Sequence, residues 1–266
     1  MSSNSARPVV TLTTDFGTGS PYVAQMKGVL LTRNSDLQVV DVTHDIPPQD
    51  VRQAALVVDE VSRRFPPRTI HIVVVDPGVG TDRLIVYAKL GQQRYVAPDN
   101  GCLSLAAART PPELLVGITN RLYFSPEVSA TFHGRDIMAP VAAHLSLGLH
   151  PERLGPRLAA LVQIPAVEPT VKVNLIHGQV LWIDSFGNVI TNITTRHLAL
   201  GPAGAPVTVG FGEHRITGIV TTYGQSTPGS LVALIGSSGR LELAVVNGNA
   251  ASLLAARPDD PVHVSW

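Results

Sequence analysis

The run His71-Ile72-Val73-Val74-Val75 stops abruptly at Asp76-Pro77-Gly78-Val79-Gly80. Four successive β-branched residues leave no polar face, so the run reads as a strand covered on both sides. A lone ribbon cannot cover it; a sheet with helices above and below can. Proline then breaks the strand, and two glycines strip side chains from the turn, which lets a ligand approach the backbone. Asp76 thereby falls at the carboxyl end of a buried strand, the edge where open α/β sheets place ligands. A plainer reading makes Asp76 a local hydrogen-bond acceptor that ends the strand.

The flanking sequence repeats the pattern. Val9–Thr13 reads as a strand ending in Thr14-Asp15-Phe16-Gly17, and Ser20-Pro21 opens a helix to about Arg33, with proline at its first position. Gln38–Val42 reads as a second strand. After Pro47-Pro48, Asp50 caps a helix to about Arg64, with Val51, Ala54, Ala55, Val58 and Val61 on one side. Thr69–Val75 is the third strand. Strand, helix, strand, helix, strand is the order of a mainly parallel sheet with flanking helices. Leu84–Leu90 and Arg94–Ala97 form a hairpin around Gly91-Gln92-Gln93, Cys102–Arg109 a short helix, Glu113–Ile118 an extended segment, and Ile137–Leu147 an Ala-rich helix. Pro151 to Thr170 is Pro-rich and without period. From Val171 to Val246 come seven short β-type runs separated by turn residues, the pattern of a small antiparallel sheet or barrel. The expected class is α/β, with an N-terminal α/β domain over 1–155, a linker over 156–170 and a C-terminal all-β, barrel-like domain over 171–266.

Composition removes several function classes. The 266 residues are 44% hydrophobic and 15% charged, with formal net charge zero. Such a chain can bury a substantial core, and it lacks the basic block that nucleic-acid binding calls for. A single cysteine, Cys102, rules out an intramolecular disulfide framework and a multi-cysteine zinc site. No apolar run approaches the roughly 20 residues of a membrane span. Met1 to Arg7 is polar and has no signal-peptide core, so the expected location is cytoplasmic.

Four polar clusters fall just after a predicted strand or just before a helix: Thr14-Asp15, His44-Asp45, Asp76 with Arg83, and His133 with Arg135-Asp136. Strand ends converge in a parallel sheet, so the clusters can share one crevice. Each also has a plain structural reading as a strand terminator, a turn bond or a helix cap. In the C-terminal half, glycines lie beside Asp, Asn, Ser and Arg in Trp182–Asn192, Ile235–Glu242 and Val246–Ala251. That composition suits a polar small molecule, with Phe186 placed to stack on a heterocycle. It equally suits hairpin turns.

Taken in order, Asp41-Val42-Thr43-His44-Asp45-Ile46-Pro47-Pro48, Val75-Asp76-Pro77-Gly78-Val79-Gly80, Thr131-Phe132-His133-Gly134-Arg135-Asp136 and Asp184-Ser185-Phe186-Gly187-Asn188 resemble the S-adenosylmethionine hydroxide adenosyltransferases, relatives of the enzymes that make fluoro- and chloro-deoxyadenosine. The resemblance runs from Thr13 to Ala251. It implies a homotrimer with active sites between subunits. It also implies S-adenosylmethionine as substrate rather than cofactor, cleaved at ribose C5′ to adenosine and methionine. Matching motif to motif, it implies a catalytic set of Asp76, Arg83 and His133, with Asp15 on the ribose hydroxyls. Phe186, Asn188 and Gly248-Asn249-Ala250 would lie around adenine. Asp184, Ser238 and Arg240 would hold the methionine end, and Tyr223 would be a further stacking residue.

The chemistry suits those residue types. A sulfonium leaves as a neutral thioether, so the leaving group needs no acid and C5′ needs no metal. The nucleophile is the difficulty: ionising water at pH 7 costs about 12 kcal/mol. A guanidinium favours hydroxide beside it, an imidazole can accept a proton near neutrality, and a carboxylate can orient either the water or the guanidinium. Which group takes the proton stays open at this point. A halogenase is the nearest alternative. Asp76 would place a negative charge beside a bound halide, and the resemblance implies that halogenating relatives do not keep the Asp–Arg–His set as such. A non-catalytic binder of S-adenosylmethionine or a nucleoside is a second alternative. A metallohydrolase built on Asp15, Asp41, His44 and Asp45 is a third, without a tight ligand motif such as H-E-x-x-H.

Overall fold

The structure is a computed structural model and describes residues 7–202 and 204–266. The chain divides into two compact units, one ending at Pro165 and one beginning at Ala166.

Among the described residues, the first unit is built on six strands and four α-helices. In chain order they are β1 (Val9–Thr14), α1 (Tyr22–Arg33), β2 (Gln38–Thr43), α2 (Val51–Ser62), β3 (Ile70–Val74), β4 (Ile85–Leu90), β5 (Gln93–Pro98), α3 (Ser104–Arg109), β6 (Pro112–Gly117) and α4 (Ala139–Ser146). The sheet order is β2-β1-β3-β5-β4-β6. β1 is parallel to β2 and β3, and β3 is parallel to β5. The expected hairpin is present as antiparallel β4 and β5, with β6 antiparallel to β4. Every residue of β3 is buried, as its unbroken apolar run requires. Val23, Met26 and Leu30 of α1 share one core with α4 residues from Ala139 to Leu145 on one face. Ala54 and Val58 of α2 share a second core with Ala106 and Ala107 of α3 on the other face.

That layering creates a geometric opening. From β1 the chain crosses to β2 on one side and then returns past β1 to β3 on the other. The order therefore reverses between β1 and β3, and the two connections leave the sheet in opposite directions. Such a switch point leaves a crevice beyond the carboxyl ends of the two strands.

Three details differ from the sequence expectation. Pro21 is the N-cap of α1 rather than its first residue. The helix predicted from Ile137 is preceded by a π-helical turn, Gly134–Met138, with His133 at its N-cap. Residues 156–165, part of the linker expected over 156–170, lie along β6. Leu158 N donates to Leu115 O (3.0 Å), Gly117 N donates to Pro156 O (2.9 Å), and Leu154 and Leu161 are buried. Proline-rich sequence cannot form a regular strand, but it still offers carbonyls and apolar side chains to an edge.

The second unit holds β7 (Thr170–Lys172), β8 (Leu175–Ile183), β9 (Val189–Thr194), α5 (Thr195–Leu198), β10 (Thr208–Phe211), β11 (His214–Thr217), β12 (Leu231–Ile235), β13 (Arg240–Val245), α6 (Ala250–Leu254) and β14 (Pro261–Ser265). All pairings between these strands are antiparallel, in the order β11-β10-β14-β8-β9-β13-β12, with β7 added to β8. Past β11 the chain reaches β12 through a Val220–Leu234 bridge, which nearly closes the sheet into a barrel. Closure removes the unpaired edges that an open antiparallel sheet would expose. Val180, Ile193, Val209, Leu241, Leu243, Val262 and Val264 fill its interior.

Candidate active site

Asp76 follows the last residues of β3, where Pro77 ends the strand and Val79 N donates back to Asp76 O at 3.1 Å. The turn brings Arg83, seven residues on, back onto the Asp76 carboxylate. Arg83 Nε donates to Asp76 Oδ1 at 2.9 Å and Oδ2 at 3.0 Å, and Arg83 Nη2 donates to Oδ2 as well. The side chains are 5% exposed for Asp76 and 12% for Arg83, so this ion pair is shielded from the solvent that weakens surface pairs. Gly80 makes the turn feasible. Its φ is +80°, and a Cβ there would stand 2.5 Å from Ala130 O. The turn thus packs directly against the loop that leads to His133.

His133 is contributed from the other side of the crevice. Arg83 Nη2 lies 2.9 Å from His133 Nδ1. A guanidinium has no acceptor, so His133 Nδ1 is the acceptor, and the imidazole is neutral with its proton on Nε2. Burial, and then the charge of Arg83, hold His133 below its ordinary pKa, although Asp76 and Asp136 pull the other way. Arg83 therefore links Asp76 and His133 into one connected group.

The loop before His133 is fixed by Asp136. Burial alone would raise the pKa of its carboxyl. Bonds from Arg135 and from Ser129 N (2.9 Å) and Oγ (2.8 Å) outweigh burial and lower it. Arg135 and Asp136, grouped with His133 on the sequence, are thus engaged with each other and with the loop. Gly134 brings the π-turn close to β3, since a Cβ there would meet Val74 Cγ1 at 3.1 Å. Single π-turns recur at functional sites because the extra residue re-aims neighbouring side chains.

A cavity of about 240 Å³ opens here, lined by Asp15, Phe16, Asp76, Thr131, Phe132 and His133 among others. It lies at the switch point, with Asp15 from the end of β1 and Asp76 from the end of β3. Asp15 Oδ2 accepts from Gln49 N at 2.8 Å, which leaves its other oxygen available. Phe16, Tyr22 and Phe132 meet edge to face with ring centroids 5.1–5.6 Å apart, and Phe16 and Phe132 wall one side of the cavity. Three of the four polar clusters therefore share one crevice. The fourth stays outside it: His44 is buried and bonds Thr14, while Asp45 is exposed. Asp41 is held by Lys27 and His44, and among the described residues no group of three or more His, Cys, Asp or Glu converges as a metal site would.

In the second unit, the Asp184 carboxylate organises its own turn. Oδ1 accepts from Phe186 N (2.9 Å) and Asn188 N (2.8 Å), and Oδ2 accepts from Asn188 Nδ2 (2.9 Å). Phe186 is left 76% exposed, a ring held out by a rigid turn. Asn249 caps α6, with Oδ1 accepting from Ser252 N at 2.7 Å. Ala250 is fully buried, backbone and side chain alike. Ser238 Oγ is buried without a hydrogen-bond partner among the described residues. Tyr223 donates to Glu242 Oε2 at 3.3 Å, and burial, then Glu242 and Asp184, push its pKa up. Glu242 went unnoticed on the sequence. A charged residue alternating with leucines inside a strand, Leu241-Glu242-Leu243, was the available signal.

Comparison with known proteins finds relatives along nearly the whole chain. The family model described as the SAM hydroxide adenosyltransferase N-terminal domain matches residues 10–155, and its C-terminal counterpart matches residues 178–263. A protein of Thermus thermophilus named (R)-S-adenosyl-L-methionine hydrolase is 42% identical, covering 97% of this chain and 99% of the relative. One of the same name from Salinispora tropica is 38% identical over 97% and 98%. A fluorinase of Nocardia brasiliensis is more distant, 30% identical over 94% and 93%. Among solved structures, an uncharacterised conserved protein from Thermotoga maritima superimposes with a TM-score of 0.90 at 36% identity, covering 97% of this chain and all of that one.

Proposed function

The chain belongs to the S-adenosylmethionine hydroxide adenosyltransferase family, and we propose that it cleaves S-adenosylmethionine at ribose C5′ with water as nucleophile, giving adenosine and methionine. The observation that carries the reading is the connected Asp76–Arg83–His133 group on the wall of a cavity that also holds Asp15.

The geometry favours a division of labour. Asp76 and His133 line the cavity, while Arg83 joins them from behind. A water between them would donate to a free lone pair of Asp76 and accept from His133 Nε2–H. The fixed positive charge of Arg83 then lowers the cost of negative charge on that water as its proton passes to the Asp76 carboxylate, its oxygen bonds to C5′ and the C5′–S bond breaks to release the neutral thioether of methionine. His133 acts in this scheme as a donor that steadies the developing hydroxide, because Arg83 already occupies its acceptor nitrogen. As C5′ is attacked, the negative oxygen and the positive sulfonium neutralise each other. A site that excludes bulk water and aligns the two therefore helps. The sulfonium itself activates C5′, so S-adenosylmethionine is substrate and no step calls for a further cofactor.

Asp15 is assigned to the ribose hydroxyls. Asp184, Phe186, Asn188, Tyr223, Ser238, Arg240, Asn249 and Ala250 are assigned to adenine and the methionine end. Part of Asp184 and Asn249 is committed to local turns, which makes those two the residues that hold the binding segments in shape.

The test is incubation with each sulfonium epimer of S-adenosylmethionine in oxygen-18 water. The relatives are named for the (R) form, so faster release of adenosine from that epimer, with label in its 5′-hydroxyl, is the expected result. Binding without turnover would reduce the protein to a sequestering module. Efficient chloro- or fluoro-deoxyadenosine formation with added halide would make it a halogenase.

A further inference from the structure

His44 stands outside the cavity, yet its bonds lead to it. β2 pairs with β1 in register up to Leu12 with Asp41, and the next pair is Thr13 with Thr43. Val42 is therefore an extra residue, a bulge in the parallel ladder. Residues three apart on a regular strand face opposite ways, and the inserted residue lets Asp41 and His44 meet. His44 Nε2 lies 3.0 Å from Asp41 Oδ1, and Lys27 Nζ holds Asp41 Oδ2 at 2.5 Å. On its other side His44 Nδ1 is 2.9 Å from Thr14 Oγ1, with both residues buried. Nε2 is close to Asp41 but not aligned for a hydrogen bond to it, and with the ring proton on that side Nδ1 accepts from the Thr14 hydroxyl. The Thr14 oxygen in turn accepts from Phe16 N at 3.3 Å. The backbones are tied as well: Gly17 N donates to His44 O (2.8 Å), and Ile46 N donates to Thr14 O (3.4 Å).

We propose that His44, oriented by Asp41 and Lys27, is a positioning residue that fixes the Thr14-Asp15-Phe16 turn, and through it Asp15, for the substrate ribose. The argument is one of placement. Asp15 has bonds on both sides in sequence, from Thr14 and Phe16 to the His44 chain, and its own carboxylate is pinned by Gln49 N at 2.8 Å. All of these partners except Lys27 come from β1, β2 or the segments that follow them. The β2–α2 connection thus works as a clamp on the β1–α1 connection, and His44 is its buried centre. This inference rests on the reading of Asp15 as a ribose contact.

The experiment is a double-mutant cycle on steady-state adenosine release, using His44→Gln, Thr14→Val and Asp15→Ala, with Asp41→Asn as a second route to the same chain. His44→Gln and Thr14→Val should each raise KM for S-adenosylmethionine about tenfold, the usual effect of losing one placed hydrogen bond, while kcat changes less than threefold. Combining either with Asp15→Ala should add nothing to the loss seen for Asp15→Ala alone. If Asp15→Ala raises KM and the His44 and Thr14 variants, folded by their melting curves, leave it unchanged or act additively, the clamp is wrong. If Asp15→Ala itself leaves KM unchanged, the ribose assignment fails first. Should His44→Gln not fold, the Thr14→Val and Asp41→Asn arms decide the outcome.

Discussion

Arg83 is the residue on which the proposed chemistry turns, because two different partners use the same guanidinium. Its Nε and Nη2 hold both oxygens of Asp76, and its Nη2 also reaches His133. Lysine keeps the charge but offers a single point, and cannot span both partners. Arg83→Lys should therefore lose about 100-fold or more in kcat with a small change in melting temperature, as steady-state kinetics beside a thermal melt would show. The acid limb of the rate belongs to His133. Its folded pKa lies below the ordinary 6.5, so the neutral form persists as pH falls past 6.5 and is lost only further down. Protonation places a hydrogen on Nδ1 facing Arg83 and breaks their bond. The pH profile of kcat should fall on the acid side below 6.5, and a midpoint above 6.5 would contradict this geometry. The family resemblance groups these three residues, but only part of their linkage was legible in the residues themselves. Asp76 and Arg83 were, being seven residues apart across a Pro-Gly turn. His133 is 50 residues beyond Arg83, and no local pattern records that they touch.

At the scale of elements, the strands of the first unit were legible because burial on both faces leaves an unbroken apolar signature, as in β3. β14 was missed because Pro261-Val262-His263-Val264-Ser265 shows only two apolar residues, and its identity is decided by pairing with β8 and β10. The π-turn over Gly134–Met138 was missed for a related reason: a one-residue change in helical hydrogen bonding has no composition of its own. The turn between β3 and β4 makes a sharper prediction. Gly80 has φ +80° and faces a backbone carbonyl that cannot yield as a flexible side chain would. Gly80→Ala should lower stability by about 1–3 kcal/mol and reduce kcat with it, because relieving the clash moves the Asp76–Arg83 turn away from the His133 loop. Denaturant melts paired with kinetics would check this, and a fully stable, fully active variant would show that the turn is not held there.

At the scale of the molecule, each unit presents ligand-suited groups of its own. The first has a small cavity holding the reactive residues, and the second has an exposed Phe186 on a rigid turn with the polar groups of Tyr223, Ser238 and Glu242. A bare aromatic ring held out by a fixed turn is costly to leave in water, and we propose that assembly and ligand cover it. The family resemblance implies a homotrimer, and light scattering should then give three times the 28.2 kDa chain mass. A monomer that turns over at full rate would dispose of sites shared between subunits.

The reversal of strand order between β1 and β3 carries a consequence for how such catalysts diversify. The hollow is made by backbone topology, and the reactive groups hang from connections rather than from the sheet. Short loop exchanges between Asp76 and Arg83 can thus retune which anion attacks while the load-carrying layers stay as they are. A scaffold of this kind lends itself to grafting: a laboratory seeking new nucleophiles would redraw eight residues and leave the architecture untouched.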